Sequence, residues 1–484
     1  MNSVKQKTRG IAVGQIDVNR KDHHETVDGL SLGGLVLIGI GGIIGAGYFL
    51  GIGLAVVQAG PGILLGLILG ALIMSQVLGA VTSMSVNHPV KGSFRAYAEE
   101  MFGPFIGYFQ GWLYWLASVL TIGSEAIAMA VFARLWIPQM PMWALALLFT
   151  GLIFVLNAFG IAAFSKLEGM LSGLKIVALV MFCLVILLVG VQVITGASVH
   201  PEYLFSHGGF FPHGLQGVLQ SMLIVIFAFS GIGVMATATS ELRRPRDASR
   251  GATLVIVGLF AIYFLSLFAL LTVVPWWKIS VSSSPFVLAF TMVHLPLLAS
   301  LFNAVILVAA FTVMAGALFS AVLIMQNMAH VGEAPRFLRR KEHAKTSLSA
   351  LLLSTLGAVV AIMVSYVLPS QVYSYLVSAT SYITFFNWVV ILLSWLAYKR
   401  RHKEEHLYHV IWVRAGNIPI YATVVVIAAL TITSLGSSDQ RMGGAAALFV
   451  ALIIALPYPL LAHKRRLEAS HLKDIAKDDG HDRV

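Results

Sequence analysis

The sequence predicts an all-α integral membrane protein with twelve transmembrane helices. Three observations carry that reading. Apolar residues fill 58% of the 484 positions and charged residues only 11%, whereas soluble domains run near ~25% charged. The apolar residues gather into runs of about 20, the length that spans a hydrocarbon core. Lysine and arginine lie almost wholly on one side of those runs, as topology signals do. A β-barrel is excluded, because its strands give ~10-residue alternating segments rather than continuous apolar runs. One cysteine, Cys183, excludes a disulfide scaffold. The net charge of +11 comes from short basic clusters between apolar runs, so no nucleic-acid partner is expected.

The runs lie at 30–56, 62–84, 105–133, 141–161, 169–195, 215–239, 252–275, 287–328, 347–368, 372–398, 418–436 and 442–462. The run at 287–328 exceeds one span, so part of it is expected to tilt or to extend beyond the bilayer. With a cytoplasmic N-terminus, the outside loops hold only Arg134, Lys278 and Arg441, and Lys175 lies within a span. That asymmetry supports twelve spans over eleven or thirteen and puts both termini in the cytoplasm. Residues 1–29 read as a polar tail without a signal-peptide pattern, and 463–484 as a second polar tail. Between them lie two five-helix halves, 30–195 and 215–398, and a final pair of helices at 418–462.

Polar features inside the spans point to function. The first span reads Gly-Gly-Ile-Ile-Gly-Ala-Gly-Tyr-Phe at 41–49. Such glycine density fits an unwound point, although Gly41/Gly45 and Gly47/Gly51 also suit close helix packing. The sixth span reads Phe-Ala-Phe-Ser-Gly-Ile-Gly at 227–233. Interrupted helices at corresponding positions of two halves point to a transporter site. Amides at a half-helix start favour a carboxylate, and carbonyls at a half-helix end favour an ammonium group. Glu125, deep in the third span, reads either as a proton-linked carboxylate or as a structural one. Lys175 reads either as an internal cation in place of a metal ion or as a snorkelling side chain. Trp112, Trp115, Trp136, Trp143, Trp276 and Trp277 read as packing or interface aromatics, and Arg243, Arg244, Arg246 and Arg250 as topology signals. His402, His406 and His409 make no persuasive metal site, and no cofactor is expected. The phosphate-loop pattern is absent, and no Ser/His/Asp constellation suggests an enzyme.

Four segments together resemble a bacterial amino acid permease of the amino acid–polyamine–organocation superfamily. They are similar to the branch that holds proton-coupled permeases for aromatic residues, proline and GABA. The segments are Gly41 to Gly51; PVKGSFRAYAEEMFGPFIGYFQGWLYW at 89–115, followed by Glu125; GGFFPHG at 208–214 with FAFSGIG and SELRRPRDASRGA through Ala252; and SPFV at 284–287 with GEAPRF at 332–337. The resemblance runs from about residue 28 to 400 and more weakly through the last two spans.

The resemblance implies a LeuT-type fold, with two inverted five-helix repeats and two additional helices. It implies a substrate held at the unwound centres of the first and sixth helices. Carried over by position, the Ala46 and Gly47 amides would hold its carboxylate. The carbonyls of Ile43, Phe227, Ala228 and Ser230, beside Gly231, would hold its amine, with Phe227 also a gate. Lys175 matches a lysine that replaces sodium in sodium-independent relatives. The chain departs from many relatives at Leu78–Val81, which lacks an acid, at Gly233 where a glutamate is common, and at Ala315, Gly316 and Leu323. The lost acid at 233 argues against cationic substrates. The expected function is import of a neutral amino acid, apolar in its side chain, across the cell membrane. Alternating access would carry it, with protons as the coupling ion and Glu125 and Lys175 as titrating groups. Membrane lipids are the only other partner expected. The alternatives are amino acid exchange without net proton movement, a cationic amino acid or polyamine transporter, and a non-transporting sensor.

Overall fold

The computed structural model describes residues 30–460 and 462, except 91–92, 160, 195–197, 234, 236–238, 240–241, 245–246, 281, 341–345, 368–371, 404–406, 409 and 415. The tails at 1–29 and 463–484 lie outside the described residues. The described chain is helical almost throughout. Seven helical stretches are long and apolar enough to cross a membrane, and five shorter apolar helices of 10–17 residues accompany them.

The first apolar run is three pieces: α1 (Leu32–Ile43), α2 (Ala46–Phe49) and α3 (Gly51–Ala59). Ser31 caps α1 by accepting a hydrogen bond from the Gly34 amide. Then follow α4 (Ile63–Asn87), the short α5 (Ser93–Phe102), α6 (Pro104–Ala133), α7 (Met142–Ala158), α8 (Ile161–Gly190) and α9 (Gly214–Ala228). Next come α10 (Ala248–Val273), α11 (Pro285–Met292), α12 (Pro296–His330), α13 (Leu348–Val367) and α14 (Val372–Arg401). The one-turn α15 (Ile411–Arg414), α16 (Ile418–Ser434) and α17 (Ser438–Ala455) complete the chain.

α6 is the axis of the molecule. It packs on α12, α14, α7, α5 and α13, and 78% of its most apolar window is buried, against 11% for the last apolar stretch, Ser438–Leu460. A helix wrapped by others must carry small or neutral residues all round, and α6 does so with Gly107, Gly111, Ala117, Gly123, Ala126, Ala128 and Ala130. The last helices, by contrast, turn large apolar side chains such as Leu448, Phe449, Leu452 and Leu456 outward.

Two boundaries differ from the sequence expectation. The run at 287–328 is not one tilted or overlong span. It breaks between α11 and α12, where His294 takes φ 61 and Pro296 opens the next helix. Proline has no N–H to give and fits a helix's first turn, so the chain restarts there. The fifth run begins at Ile161 rather than 169.

A buried ion cluster ties α5 to the loop after α12. Arg95 bonds to Glu333 and, at 2.8 Å, to Glu99, one turn on. The side chains of Arg95 and Glu333 are 5% and 0% exposed, and that of Glu99 is 35% exposed. Trp112 of α6 donates to the Glu333 carbonyl at 3.3 Å, so α5, α6 and α12 are held as one unit. Removing one member of a buried pair strands the other and costs about 3–5 kcal/mol, whereas a surface member costs about 1 kcal/mol or less. Glu333→Ala is therefore expected to melt well below Glu99→Ala in a detergent thermal denaturation; equal midpoints would show that the buried arm does not dominate.

Candidate functional site

In a membrane, a broken helix survives only where protein or a water-filled cavity satisfies its backbone. Two such breaks lie among the described residues, and they cross. At the first, Ile44 and Gly45 are extended between α1 and α2. A Cβ on Gly45 would stand 2.8 Å from Val313 of α12 and 3.0 Å from the Glu125 carboxylate, so α6 and α12 close directly on the bare backbone. At the second, α9 ends at Ala228 and residues 229–231 turn before helical geometry resumes at 232. Gly231 meets the first break backbone to backbone: its Cβ would lie 2.8 Å from the Gly42 carbonyl and 3.0 Å from Ile43 Cα. The Phe227 ring lies against Gly47 in the same way, at 2.8 Å from a Cβ there. Gly41, in contrast, serves close packing, since Ser172 of α8 fills the space beside it.

Hydrogen bonds pin the broken segments. The Ala46 amide donates to Glu125 Oε2 at 3.0 Å, and the Ala46 carbonyl accepts from the Tyr373 hydroxyl at 3.1 Å. Tyr48 and Tyr263 stack at 3.7 Å with rings 2° apart. Tyr48 donates to the Tyr263 carbonyl at 2.7 Å, and the Tyr263 hydroxyl donates to the Ala228 carbonyl at 3.2 Å. This aromatic pair therefore joins α2 to the end of α9 through α10. Ser230 turns back on its own segment, its hydroxyl donating to the Phe227 carbonyl at 2.8 Å. Lys175 is fully buried and donates to the Gly41 carbonyl at 2.5 Å. Its side chain reaches the end of α1, not the protein surface. Burying an ammonium group requires such partners, and the Lys175 charge also acts on Glu125.

A cavity opens where the breaks cross. About 100 Å³ of it is open to the centres of water-sized groups, several times the ~10–15 Å³ that one water requires. Ile43, Gly47, Phe227, Ser230, Gly231 and Glu125 line it. Ala46, Ala228 and Lys175 are not among its lining residues and act through the bonds just described. The cavity follows one stripe of α6 from Glu125 through Thr121 and Ser118 to Tyr114, about 16 Å along the helix at 1.5 Å per residue. Glu125 is the one charged residue among the described residues that line it. Where Gly233 lacks a side chain, the Tyr114 hydroxyl occupies the space and faces the hydroxyls of Ser118 and Ser320.

Sequence reasoning named both breaks, Glu125 and Lys175, but missed Tyr373, Tyr263 and Tyr114. Tyr114 was within reach: Tyr114, Ser118, Thr121 and Glu125 recur at helical spacing. Tyr373 and Tyr263 carry no such signal, since each is one aromatic among many in an apolar run.

Among sequence families, the one described as Amino acid permease matches residues 34–465. The uncharacterized amino acid permease YtnA of Bacillus subtilis is 30% identical over 94% of this chain and 100% of its own. The aromatic amino acid transport protein AroP of Escherichia coli O6:H1 is 28% identical over 76% of this chain and 81% of its own. A crystal structure of the Eremococcus coleocola manganese transporter superposes with a TM-score of 0.56 at 14% identity, covering 89% of this chain and 92% of that one. At that identity the likeness is one of fold.

The crossing itself is testable. Gly231→Ala places a methyl group against backbone that cannot rotate away, and is expected to force the two breaks apart. The variant should fold, keep its elution profile, and lose stabilisation by every amino acid that raises the melting temperature of the unaltered protein. Retained stabilisation would show that the crossing tolerates a Cβ and does not shape the cavity.

Proposed function

The chain belongs to the amino acid permease family, and from that premise we propose that it imports a neutral amino acid with an apolar side chain, by alternating access and with protons as the coupling ion. It is a multi-pass membrane transporter rather than an enzyme. The seven long and five shorter apolar helices support twelve spans. The two crossing breaks support a LeuT-type arrangement of two inverted five-helix repeats, 30–195 and 215–398, with a further pair at 418–462. The lysine and arginine distribution supports cytoplasmic termini.

One observation carries the substrate reading: the first break already holds a carboxylate. Glu125 sits on the Ala46 amide at 3.0 Å, with the Gly47 amide alongside. Those amides are the donors a substrate's α-carboxylate would use. The carbonyls of Ile43, Phe227, Ala228 and Ser230, at and just beyond the ends of α1 and α9, would take the amine. Substrate and Glu125 then compete for one seat. An arriving carboxylate displaces Glu125, and a displaced carboxylate among apolar residues gains from taking a proton. That exchange links substrate binding to proton uptake. Lys175, bonded to the end of α1, supplies fixed positive charge beneath the break. The lining supports a neutral side chain, because no other acid is among the described residues that line the cavity once Glu125 is accounted for. The cavity reaches Phe94 of α5.

Uptake by the purified protein in liposomes tests the reading. An inward proton gradient should accelerate uptake of a few neutral L-amino acids and leave lysine, arginine and polyamines unmoved. Glu125→Gln should remove the response to the gradient while leaving exchange of internal for external substrate intact. Lys175→Ala should impair transport more than expression. Gradient-driven uptake that survives Glu125→Gln would remove that carboxylate from the coupling, and uptake that needs internal substrate and ignores the gradient would favour exchange.

A further inference from the structure

A second cavity lies on the opposite side of the first break. Its open space is about 600 Å³, within the ~300–1,000 Å³ typical of small-molecule sites and far larger than the ~100 Å³ beside Glu125 on the same measure. Tyr373 forms its floor and bonds to the Ala46 carbonyl. Glu125, on the other side, holds the amide of that same residue. The two cavities therefore meet across a single peptide segment.

The lining of this second cavity is chemically uneven. Leu54, Val131, Met142 and Val287 give it an apolar wall, Ser282 and Ser283 give it hydroxyls, and Arg134 is the one charged residue among the described residues that line it. Arg134 stands at the end of α6, nine residues beyond Glu125, or about 13 Å along the helix. One amino acid cannot reach both ends of that distance. A guanidinium over an apolar wall matches a carboxylate attached to an apolar side chain, and it binds carboxylates with two parallel donors.

We propose that this cavity is a second amino acid site, which captures the substrate by its carboxylate on Arg134 before Tyr373 releases Ala46 to admit it to the break. The proposal rests on the transport reading above and adds to it a loading step. The substrate waits with its carboxylate on Arg134 and its side chain against Leu54 and Val131. Opening then breaks the hydrogen bond from Tyr373 to Ala46, along with the bond from the Ser284 hydroxyl to the Phe49 carbonyl. Capture by a single fixed charge is an electrostatic effect on the rate of arrival, so it weakens as salt screens that charge.

The test uses the full-length protein in liposomes and a uniformly ¹⁴C-labelled mixture of L-amino acids. Arg134→Gln is expected to lower the initial uptake rate about tenfold at low substrate, as loss of electrostatic steering does. The saturated rate should stay near that of the unaltered protein. Arg134→Lys should restore most of the loss. Added salt should slow the unaltered protein and leave Arg134→Gln unmoved. A variant with unchanged uptake at low substrate overturns the proposal. So does an equal fall at low and saturating substrate, which would mean that Arg134 only complements the negative end of α6. Arg134 serving a lipid headgroup would show as a lower melting temperature in Arg134→Gln with the salt response of uptake retained, and that outcome overturns it too. No uptake by the unaltered protein would overturn the transport reading itself, and the loading site with it.

Discussion

The peptide group of Ala46 is the point on which the rest of the molecule depends. Two residues before it, the first apolar run stops being a helix. Its backbone then needs partners in a medium that offers none. Glu125 takes the amide and Tyr373 supplies a hydroxyl to the carbonyl. An unpaired buried amide costs about 1–3 kcal/mol, so Glu125 makes the break tolerable in a membrane, while Tyr373 adds a second bond to a carbonyl that already accepts from the Leu50 amide at 2.8 Å. They come from α6 and α14, which are also the most buried long helices. The most buried long helices thus hold the first break.

The second break is served differently. Its carbonyls at Phe227 and Ala228 are met by Ser230 from within the segment and by Tyr263 from α10. Tyr263 also stacks on Tyr48, so a displacement of either break is passed to the other through one aromatic pair. The ion cluster of Arg95, Glu99 and Glu333 holds α5 against α6 and α12 at a distance from both breaks.

Much of this was legible in the sequence, for physical reasons. A membrane span tolerates few charges, so Glu125 and Lys175 stood out. Glycine-rich stretches at the centres of two corresponding runs marked both breaks. The split of 287–328 was less legible, because Pro296 lies within an unbroken apolar run and only His294 betrays the turn. The roles of Tyr373 and Tyr263 were not legible at all. An apolar span gives a tyrosine no periodic pattern that tells which backbone group its hydroxyl will meet, and those groups lie 35 positions away for Tyr263 and 327 for Tyr373. Gly233 looked like a loss, where relatives of this kind often carry an acid; in the fold it is the room that Tyr114 fills.

The crossing of Gly231 with Gly42 and Ile43 is made of main chain alone. A contact of that kind has no side-chain chemistry to drift. It asks only that position 231 stay without a Cβ, and it leaves the residues lining the cavity free to be exchanged one at a time. A scaffold built this way can change what it recognises over evolutionary time without redesigning the crossing itself.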